Sequence, residues 1–287
     1  MVPRSVRLAL GALLLLTLYT LSSCSAAPNG LTPASDPAPQ PPPPLAPLPT
    51  ASVSFLGDFS EVQNDAELAA LVQLKTPANV HAEPGVGMRY DFQPRPERCG
   101  DQTLASIVHL AAGTRDLWAQ FRVRFSSNWT EKNPGCSSPA PGYKMLISWL
   151  GDRAAVTSGH ERFDVRHRED TQIHASVPGF SSADAVPLSI VQRTDLIGLA
   201  DGNWHEIRVH QQLIGDNEAL FQLEIDGVVT HNYRTRTTSG LGSNWISQIN
   251  LGANRNLGAV ELMHIWWDDF RVWPADPGMA FPAPDVF

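Results

Sequence analysis

The sequence predicts an all-β fold, an antiparallel β-sandwich or jelly roll, formed by a single domain over residues 51–287. Short segments alternate apolar and polar residues with a period of two, which is the spacing of a strand with one buried face. These segments are 121–125, 163–168, 207–210 and 221–225. Gly, Pro, Asn and Asp separate the segments, and residues 65–74 are the one stretch that suggests a short helix. Many short strands separated by turn residues are typical of sandwiches and jelly rolls.

Composition narrows the classes of function. Of the 287 residues, 43% are hydrophobic, too many for a disordered chain and too few for a multi-span membrane protein. The formal net charge is −8 with 21 Lys and Arg, so the chain lacks the basic footprint that nucleic-acid binding needs. We therefore expect no nucleic-acid partner.

Residues 1–23 follow the plan of a bacterial lipoprotein signal peptide. Two arginines precede an apolar run over residues 8–21, which is shorter than the ~20 residues of a membrane-spanning helix. The run ends in Leu-Ser-Ser-Cys, which resembles the lipoprotein box and implies that Cys24 is lipidated. An ordinary secretory signal cleaved near Ala26 is the alternative. Either reading predicts export. With the lipid, the chain is anchored in the cell envelope (the outer membrane of a Gram-negative host), and the lipid is its only membrane contact.

Residues 24–50 are predicted to form a disordered, proline-rich linker. The segment includes four consecutive prolines and has almost no charge. Such a stretch cannot bury a core and favours extended polyproline II structure, at about 3.1 Å per residue. We expect it to act as a stalk between the anchor and the domain.

The cysteines support an exported domain. The chain has three, and lipidation of Cys24 leaves Cys99 and Cys136, both in loop-like stretches. An oxidising compartment favours a disulfide between them, with two buried free thiols as the alternative. Closing a loop of this size stabilises a fold by about 3–4 kcal/mol in the chain-entropy model.

Several segments resemble the laminin-G-like and concanavalin A-like sandwiches. Residues 201–209 and 221–229 are similar to a pair of strands in that fold, with an Asp-Gly hairpin turn at 226–227. Residues 264–273 resemble its closing strand. Residues 125–129, followed by residues 144–149, resemble bacterial lectin/glucanase-fold and polysaccharide-lyase-like proteins. The resemblance implies a concanavalin A-like jelly roll. Because this fold carries lectins, glycosidases and lyases, function has to be argued from the site.

The carboxylates argue against a glycoside hydrolase. Retaining hydrolysis needs two carboxyl groups about 5–5.5 Å apart. The nearest match to the glucanase motif is Glu224-Ile225-Asp226, but a glycine follows, and we read Asp226 as a turn residue. Asp268 and Asp269 are adjacent on a predicted strand, so we expect them on opposite faces.

A structural Ca²⁺ is common in folds of this kind. The resemblance implies that oxygen ligands near Asp58 and Asp268 or Asp269 could hold such an ion. We expect no other cofactor.

A polysaccharide lyase is the first alternative function. β-Elimination from a uronic acid needs a group that neutralises the carboxylate and an acid or base. Gln172-Ile173-His174 resembles the Q-I-H strand of alginate-lyase-type jelly rolls, and Arg89 lies in a segment similar to their R-x-E-L strand. The resemblance implies catalysis by Arg89, Gln172 and His174. Asn250 and Asn254 stand where that family has a lysine and its catalytic tyrosine.

Binding of a polysaccharide or another glycan is the main interpretation. Trp129 and Trp245 lie in polar loop contexts, where an exposed indole can stack on a sugar ring. Arg122, Arg124 and Arg166 could form a basic face for an acidic polysaccharide, although ordinary solvated strand faces explain them as well. A structural or envelope-interaction protein is the second alternative. If the protein is an enzyme, the sequence favours a lyase over a hydrolase.

Overall fold

Two sheets pack face to face around one hydrophobic core. The computed structural model describes residues 53–95, 97, 99–136, 142–151, 162–168, 172–176, 198–215, 218–236 and 245–286. The signal peptide, Cys24 and the linker lie outside these residues. Among the described residues, no helix has the length and apolar character needed to cross a membrane.

The strands, in chain order, are β1 (Phe55–Gly57), β2 (Gln73–Lys75), β3 (Val80–Glu83), β4 (Gly87–Phe92), β5 (Gln102–Thr103), β6 (Ala105–Thr114), β7 (Asp116–Phe125), β8 (Tyr143–Leu150), β9 (Arg162–Arg168), β10 (Gln172–Ser176), β11 (Trp204–Ile214), β12 (Glu218–Ile225), β13 (Val228–Arg236), β14 (Ile246–Leu251), β15 (Asn254–Arg255), β16 (Met263–Trp273) and β17 (Asp285–Val286). The nine-stranded sheet has the order β17-β13-β12-β11-β7-β16-β4-β3, with β1 paired to β16. The eight-stranded sheet has the order β10-β9-β8-β14-β6-β2, and β15 joins β8 to β5. Apart from the short parallel pair β13–β17, the strand pairs are antiparallel. The predicted all-β sandwich is confirmed.

The period-two pattern decides which side chains of β7 join the hydrophobic core. Alternate side chains of this strand, from Leu117 to Phe125, are fully buried in the core. The residues between them, such as Gln120 and Arg122, belong to the outer face of the nine-stranded sheet. Pairing in continuous register with β11 keeps this alternation along the strand.

The predicted helix is present but shorter than expected. Helix α1 spans Asp65–Leu71, and Asn64 caps it by accepting from the backbone N–H groups of Ala66 and Glu67. The helix ends because Val72 is extended and Gln73–Lys75 pair with β6. Two short 3-10 helices, Phe59–Glu61 and Pro77–Asn79, flank it.

The Asp-Gly hairpin turn is confirmed between β12 and β13. Asp226 and Gly227 have φ angles of 50° and 78°, and Ile225 pairs with Val228 across the turn. Positive φ at both central residues is the signature of a type I′ turn. Asp226 is therefore a turn residue, as predicted.

The disulfide between Cys99 and Cys136 is confirmed, with the sulfur atoms 2.03 Å apart. It joins the loop after β4 to the loop after β7. The second of these loops, residues 126–136, is called the disulfide loop below.

The expected separation of Asp268 and Asp269 is wrong. A β-bulge interrupts the pairing of β16 with β7 between Asp268 and Arg271, and Asp269 has a φ of 52°. The bulge breaks the strict alternation of faces. Carboxylate oxygens of Asp268 and Asp269 therefore lie in one group with Asp58.

Candidate functional site

A cavity of about 250 Å³ lies on the outer face of the eight-stranded sheet, the face turned away from the other sheet. It is called the outer-face cavity below. Its walls come from β2, β5, β6, β8, β14 and the connection to β15. The lining residues are Lys75, Asp101, Thr103, Ala105, Lys144, Ile147, Trp149, Asn250, Ala253 and Asn254. Lysine, carboxylate and amide groups together with one indole make a lining suited to a charged sugar.

Lys144 is held in the outer-face cavity by a chain of hydrogen bonds. Its ammonium donates to Oδ1 of Asn254 at 2.6 Å. Nδ2 of Asn254 donates to Oδ2 of Asp101 and to Oδ1 of Asn256, both at 2.8 Å. Asn254 is thus oriented by its neighbours and fixes the position of the lysine charge.

Asn250 lies on the next strand and is oriented in the same way. Nε2 of Gln248 donates to Oδ1 of Asn250 at 2.6 Å. Because its amide oxygen accepts from Gln248, the amide N–H groups of Asn250 point away from Gln248. Asn250 lines the cavity. An oriented amide can donate to a sugar hydroxyl or carboxylate.

Gly252 brings the two asparagines to the cavity. It has a φ of +69°, and a Cβ there would lie 2.3 Å from Oη of Tyr143 and 2.8 Å from the carbonyl oxygen of Leu104. Only glycine fits this close approach without displacing backbone. The turn at Gly252 connects β14 to β15.

The tyrosines of the described chain are not in the cavity. Tyr90, Tyr143 and Tyr233 are buried in the core. Burial raises the pKa of Tyr143 well above its usual value, and the same cause raises the pKa of Tyr90. The phenols of Tyr90 and Tyr143 are therefore held protonated inside the sandwich.

The backbone register places two further predicted residues beside Lys144. Arg166 of β9 pairs with Lys144 on one side and with His174 of β10 on the other. Gln172 pairs with Arg168 two residues along the same two strands. Residues paired across antiparallel strands share a face, and neighbouring strands lie about 4.8 Å apart. Lys144, Arg166 and His174 thus form one row across three strands of the eight-stranded sheet.

Arg89 does not belong to this row, so the predicted catalytic trio does not form a single site. It lies on β4 in the nine-stranded sheet, where its guanidinium bonds Asp91 at 2.8 Å and Glu83 at 3.2 Å. His264 also bonds Asp91, at 2.8 Å. The resemblance of the Arg89 segment to a catalytic strand was misleading because its polar residues form ion pairs with each other.

Trp129 is not exposed, contrary to the prediction. Its side chain is packed between Phe92, Phe125 and Tyr143 in the core. Its indole N–H donates to Oε1 of Glu131 at 2.6 Å. The polar neighbours that suggested a surface loop are the groups that satisfy this buried indole.

Trp245 is exposed, as predicted. Its relative exposure is 44%, and its ring lies directly over Gly113 of β6, where a Cβ would fall 1.6 Å from Cδ1. The next residue, Ile246, points into the core, so Trp245 belongs to the outer face of the eight-stranded sheet.

The three predicted arginines do not form one basic face. Arg122 and Arg124 are buried on β7 in the nine-stranded sheet, whereas Arg166 is in the eight-stranded sheet. Arg122 lies 3.3 Å from a carboxylate oxygen of Asp269. The guanidinium of Arg124 stacks 4.7 Å from the ring centre of Trp266 and donates to a backbone carbonyl. These contacts neutralise or cover both charges.

The three aspartates predicted near a calcium ion do lie together. Each of Asp58, Asp268 and Asp269 offers an oxygen, and these atoms lie within 4.8 Å of one another. Burial and the nearby charge of Asp269 raise the pKa of Asp268 to about 6. A set of carboxylate oxygens fits a hard cation such as Ca²⁺, which these residues would hold between β1 and β16. Binding of calcium stays a prediction.

Comparison with known proteins identifies the fold. No protein-family profile and no curated protein matches the sequence. Among solved structures, the alginate lyase Aly36B matches with a TM-score of 0.56 at 12% identity, over 78% of this chain and 97% of that one. An endo-β-1,4-glucuronan lyase from the fungus Trichoderma reesei matches with a TM-score of 0.51 at 14% identity, over 80% and 100%. This chain therefore shares the β-sandwich jelly-roll fold of these two lyases.

A double mutant of Aly36B solved with an alginate trisaccharide matches as well, with a TM-score of 0.55 at 10% identity over 78% of this chain. That enzyme therefore binds an oligosaccharide on the same kind of scaffold. At these identities the likeness concerns the fold.

Sequence reasoning missed Lys144, the central residue of the cavity. The segment 144–149 resembles related jelly rolls, but the lysine itself carried no motif. The useful signal was the placement of Asn250 and Asn254 in the position of a catalytic motif, because both asparagines line the cavity beside Lys144.

Proposed function

We propose that this domain binds a uronic-acid polysaccharide across the outer face of the eight-stranded sheet and cleaves it by β-elimination. The row of Lys144, Arg166 and His174, one residue from each of three adjacent strands, carries the proposal. The likeness in fold to an alginate lyase and a glucuronan lyase supports it.

β-Elimination from a uronic acid requires that the negative charge of the carboxylate be neutralised. β-Elimination breaks the C5–H bond and the bond from C4 to the glycosidic oxygen, forms a C4=C5 double bond and consumes no water. Removal of the C5 proton puts negative charge onto the carboxylate, which positive groups stabilise. Lys144 and Arg166 are suited to this role because both side-chain types are cationic at neutral pH.

The histidine of this row, two strands from Lys144, can serve as the base. Neutral imidazole is a general base that enzymes use often. His174 takes the C5 proton, and the resulting imidazolium returns it to the leaving glycosidic oxygen. This cycle balances without a tyrosine, which the described part of the outer face does not provide.

Turnover on polyuronates tests the proposal. The purified protein is incubated with alginate, polyglucuronate and polygalacturonate while the ultraviolet absorbance of unsaturated uronates is followed. We expect one of them to be cleaved. Replacing Lys144 by Met should lower kcat/KM by about 100-fold, the cost of removing one charge-stabilising donor. His174→Gln should abolish turnover. Lys132→Met, an exposed lysine outside the cavity, is the matched control and should cleave normally.

Binding without cleavage is the second candidate. It is favoured by Asn254, which stands where the alginate-lyase-type motif carries its catalytic tyrosine. If polyuronates bind without any rise in absorbance, the domain is a carbohydrate-binding module. If none binds or is cleaved, the structural or envelope-interaction class is left.

We also propose that the domain works outside the cytoplasm as a lipoprotein. The Leu-Ser-Ser-Cys sequence at residues 21–24 supports lipidation, and the Cys99–Cys136 disulfide suits an oxidising compartment. Expression in a bacterium with labelled palmitate tests this. Label should appear in the protein and be lost in Cys24→Ser. Secreted, unlabelled protein would instead indicate an ordinary signal peptide.

A further inference from the structure

A second polar group lies inside the core, directly behind the row of site residues. His167 of β9 and Glu131 of the disulfide loop are both fully buried, and Nδ1 of His167 lies 2.5 Å from Oε1 of Glu131. The indole N–H of Trp129 donates to the same oxygen at 2.6 Å. Burying such groups is costly unless they bond each other, so the contact is strongly constrained.

The partner of His167 is itself anchored. The disulfide loop is fixed at its far end by the Cys99–Cys136 bond, and Nδ2 of Asn133 donates to the carbonyl of Gly258 at 3.0 Å. Among the described residues, Nε2 of His167 has no hydrogen-bond partner. The ring is therefore tied through Nδ1 to a loop that a disulfide and a hydrogen bond anchor elsewhere.

The register of β9, the strand that carries His167, is irregular where it pairs with β8. The pairing of β8 with β9 shifts between Lys144 and Leu146, next to the site. A slip of one residue in a strand transfers every side chain to the opposite face. Such a slip in β9 would move His167 out of the core and change the partner of Lys144 on β9.

We propose that Glu131 and His167 are positioning residues whose buried hydrogen bond fixes the register of β9 against β8, the strand that carries Lys144. A buried polar contact that selects one register is the best-attested use of such groups. The binding consequence rests on the proposed function, whereas the register consequence does not.

The test compares three replacements of the pair. Glu131→Met removes the acceptor, Glu131→Gln keeps an oxygen that can accept from His167 and Trp129, and Glu131→Met combined with His167→Leu makes the site apolar. Replacing both partners can leave stability unchanged, so the double variant decides the matter if Glu131→Met does not fold. Asp116→Ala removes a more exposed carboxylate that also contacts a histidine, 2.7 Å from His210 in the nine-stranded sheet, and is the control.

Two quantities are measured on each protein. Amide hydrogen exchange over residues 162–168, without ligand, reports the strand itself. Affinity for alginate and polyglucuronate, by calorimetry, reports the site. We expect faster exchange and at least about tenfold weaker binding in Glu131→Met and in the double variant, since small misplacements of site groups are costly. Glu131→Gln should restore both, and the control should change neither.

The outcomes separate the two proposals. If the double variant keeps the melting temperature, the slow exchange and the affinity of the parent, the inference is overturned. The inference is also overturned if Asp116→Ala loses as much stability and affinity as Glu131→Met, because a contact unrelated to β9 would then have the same effect. If the parent binds neither polymer, the proposed function fails, and the exchange rates alone decide the role of the pair.

Discussion

The ammonium of Lys144 lies 2.6 Å from Oδ1 of Asn254. This hydrogen bond links β8 to β15 in the lining of the outer-face cavity. Asn254 is held in turn by Asp101 and Asn256. The position of the lysine charge therefore depends on an amide that touches it, and this dependence can be tested by mutation.

Replacing Asn254 by Ala should weaken substrate binding while the protein stays folded. Lys144 then loses a hydrogen-bond acceptor and its ammonium is less well positioned. We expect kcat/KM on the cleaved polyuronate, or affinity if the domain only binds, to fall about tenfold, the scale of a charged hydrogen bond of about 1.5 kcal/mol. Asn203→Ala, at an exposed asparagine of the other sheet, is the control. Equal activity of both variants would contradict the role of Asn254.

Gly252→Ala should destabilise the protein strongly. The new methyl group would lie 2.8 Å from the carbonyl of Leu104 at a φ of +69°. Strained backbone costs about 1–3 kcal/mol, and overlap with packed atoms adds about 1–3 kcal/mol. Gly215→Ala is matched in φ, at +57°, but has nothing within 4 Å, so it should show the backbone cost alone. Urea denaturation measures both, and equal effects would show that the close contact is unimportant.

The two predicted tryptophans should behave in opposite ways. Trp245→Ala removes an exposed ring, so we expect an unchanged melting temperature and weaker binding of long polymer, by about 0.5–1.5 kcal/mol of stacking. Trp129→Ala empties part of the core and should cost about 3–5 kcal/mol of stability. Thermal denaturation and calorimetry separate the two effects. Unchanged polymer affinity in Trp245→Ala would remove Trp245 from the site.

Stability should depend on pH through His205. Burial opposes protonation of this ring, but Asp226 at 2.7 Å and Asp201 at 3.0 Å outweigh it and raise the pKa of His205. The folded protein then holds the proton more tightly than the unfolded chain does. The stabilisation is complete below about pH 6.5 and is lost as pH rises through the folded-state pKa.

The measurement is the difference in melting temperature between the parent and His205→Gln. It should be larger at about pH 5.5 than at about pH 8.5, on either side of the ordinary histidine pKa. A difference that stays constant across this range would show that folding does not raise the pKa of His205.

Calcium should stabilise the protein through the three clustered aspartates. Their oxygens lie within 4.8 Å of one another, so a bound cation would relieve the repulsion among them. We expect Ca²⁺ to raise the melting temperature of the parent and a chelator to reverse it. Asp268→Asn should lose the response, and Asp276→Asn, at an exposed aspartate elsewhere, should keep it. No response in the parent would exclude a calcium site here.

The sequence predicted the elements of the fold better than the composition of the site. Three predictions depend on local rules, and the structure confirms them: alternate residues of β7 and β12 join the hydrophobic core, Asp226-Gly227 forms a turn, and Cys99 pairs with Cys136. Local rules do not say which strands become neighbours. Arg89 and His174 therefore looked like partners although they lie in different sheets.

Two further differences have local causes that only tertiary contacts reveal. The polar loop around Trp129 is buried because Glu131 accepts from the indole and is itself bonded to His167. Asp268 and Asp269 share a site because a bulge interrupts β16. The sequence of one strand shows neither a buried carboxylate that bonds two distant side chains nor a bulge.

A crystal structure with an alginate or glucuronan trisaccharide tests the location of the site most directly. The proposal predicts sugar bound across β8, β9 and β10, with a carboxylate oxygen about 3 Å from Nζ of Lys144. Sugar bound instead on the nine-stranded sheet, around Arg89 or Arg122, would contradict it.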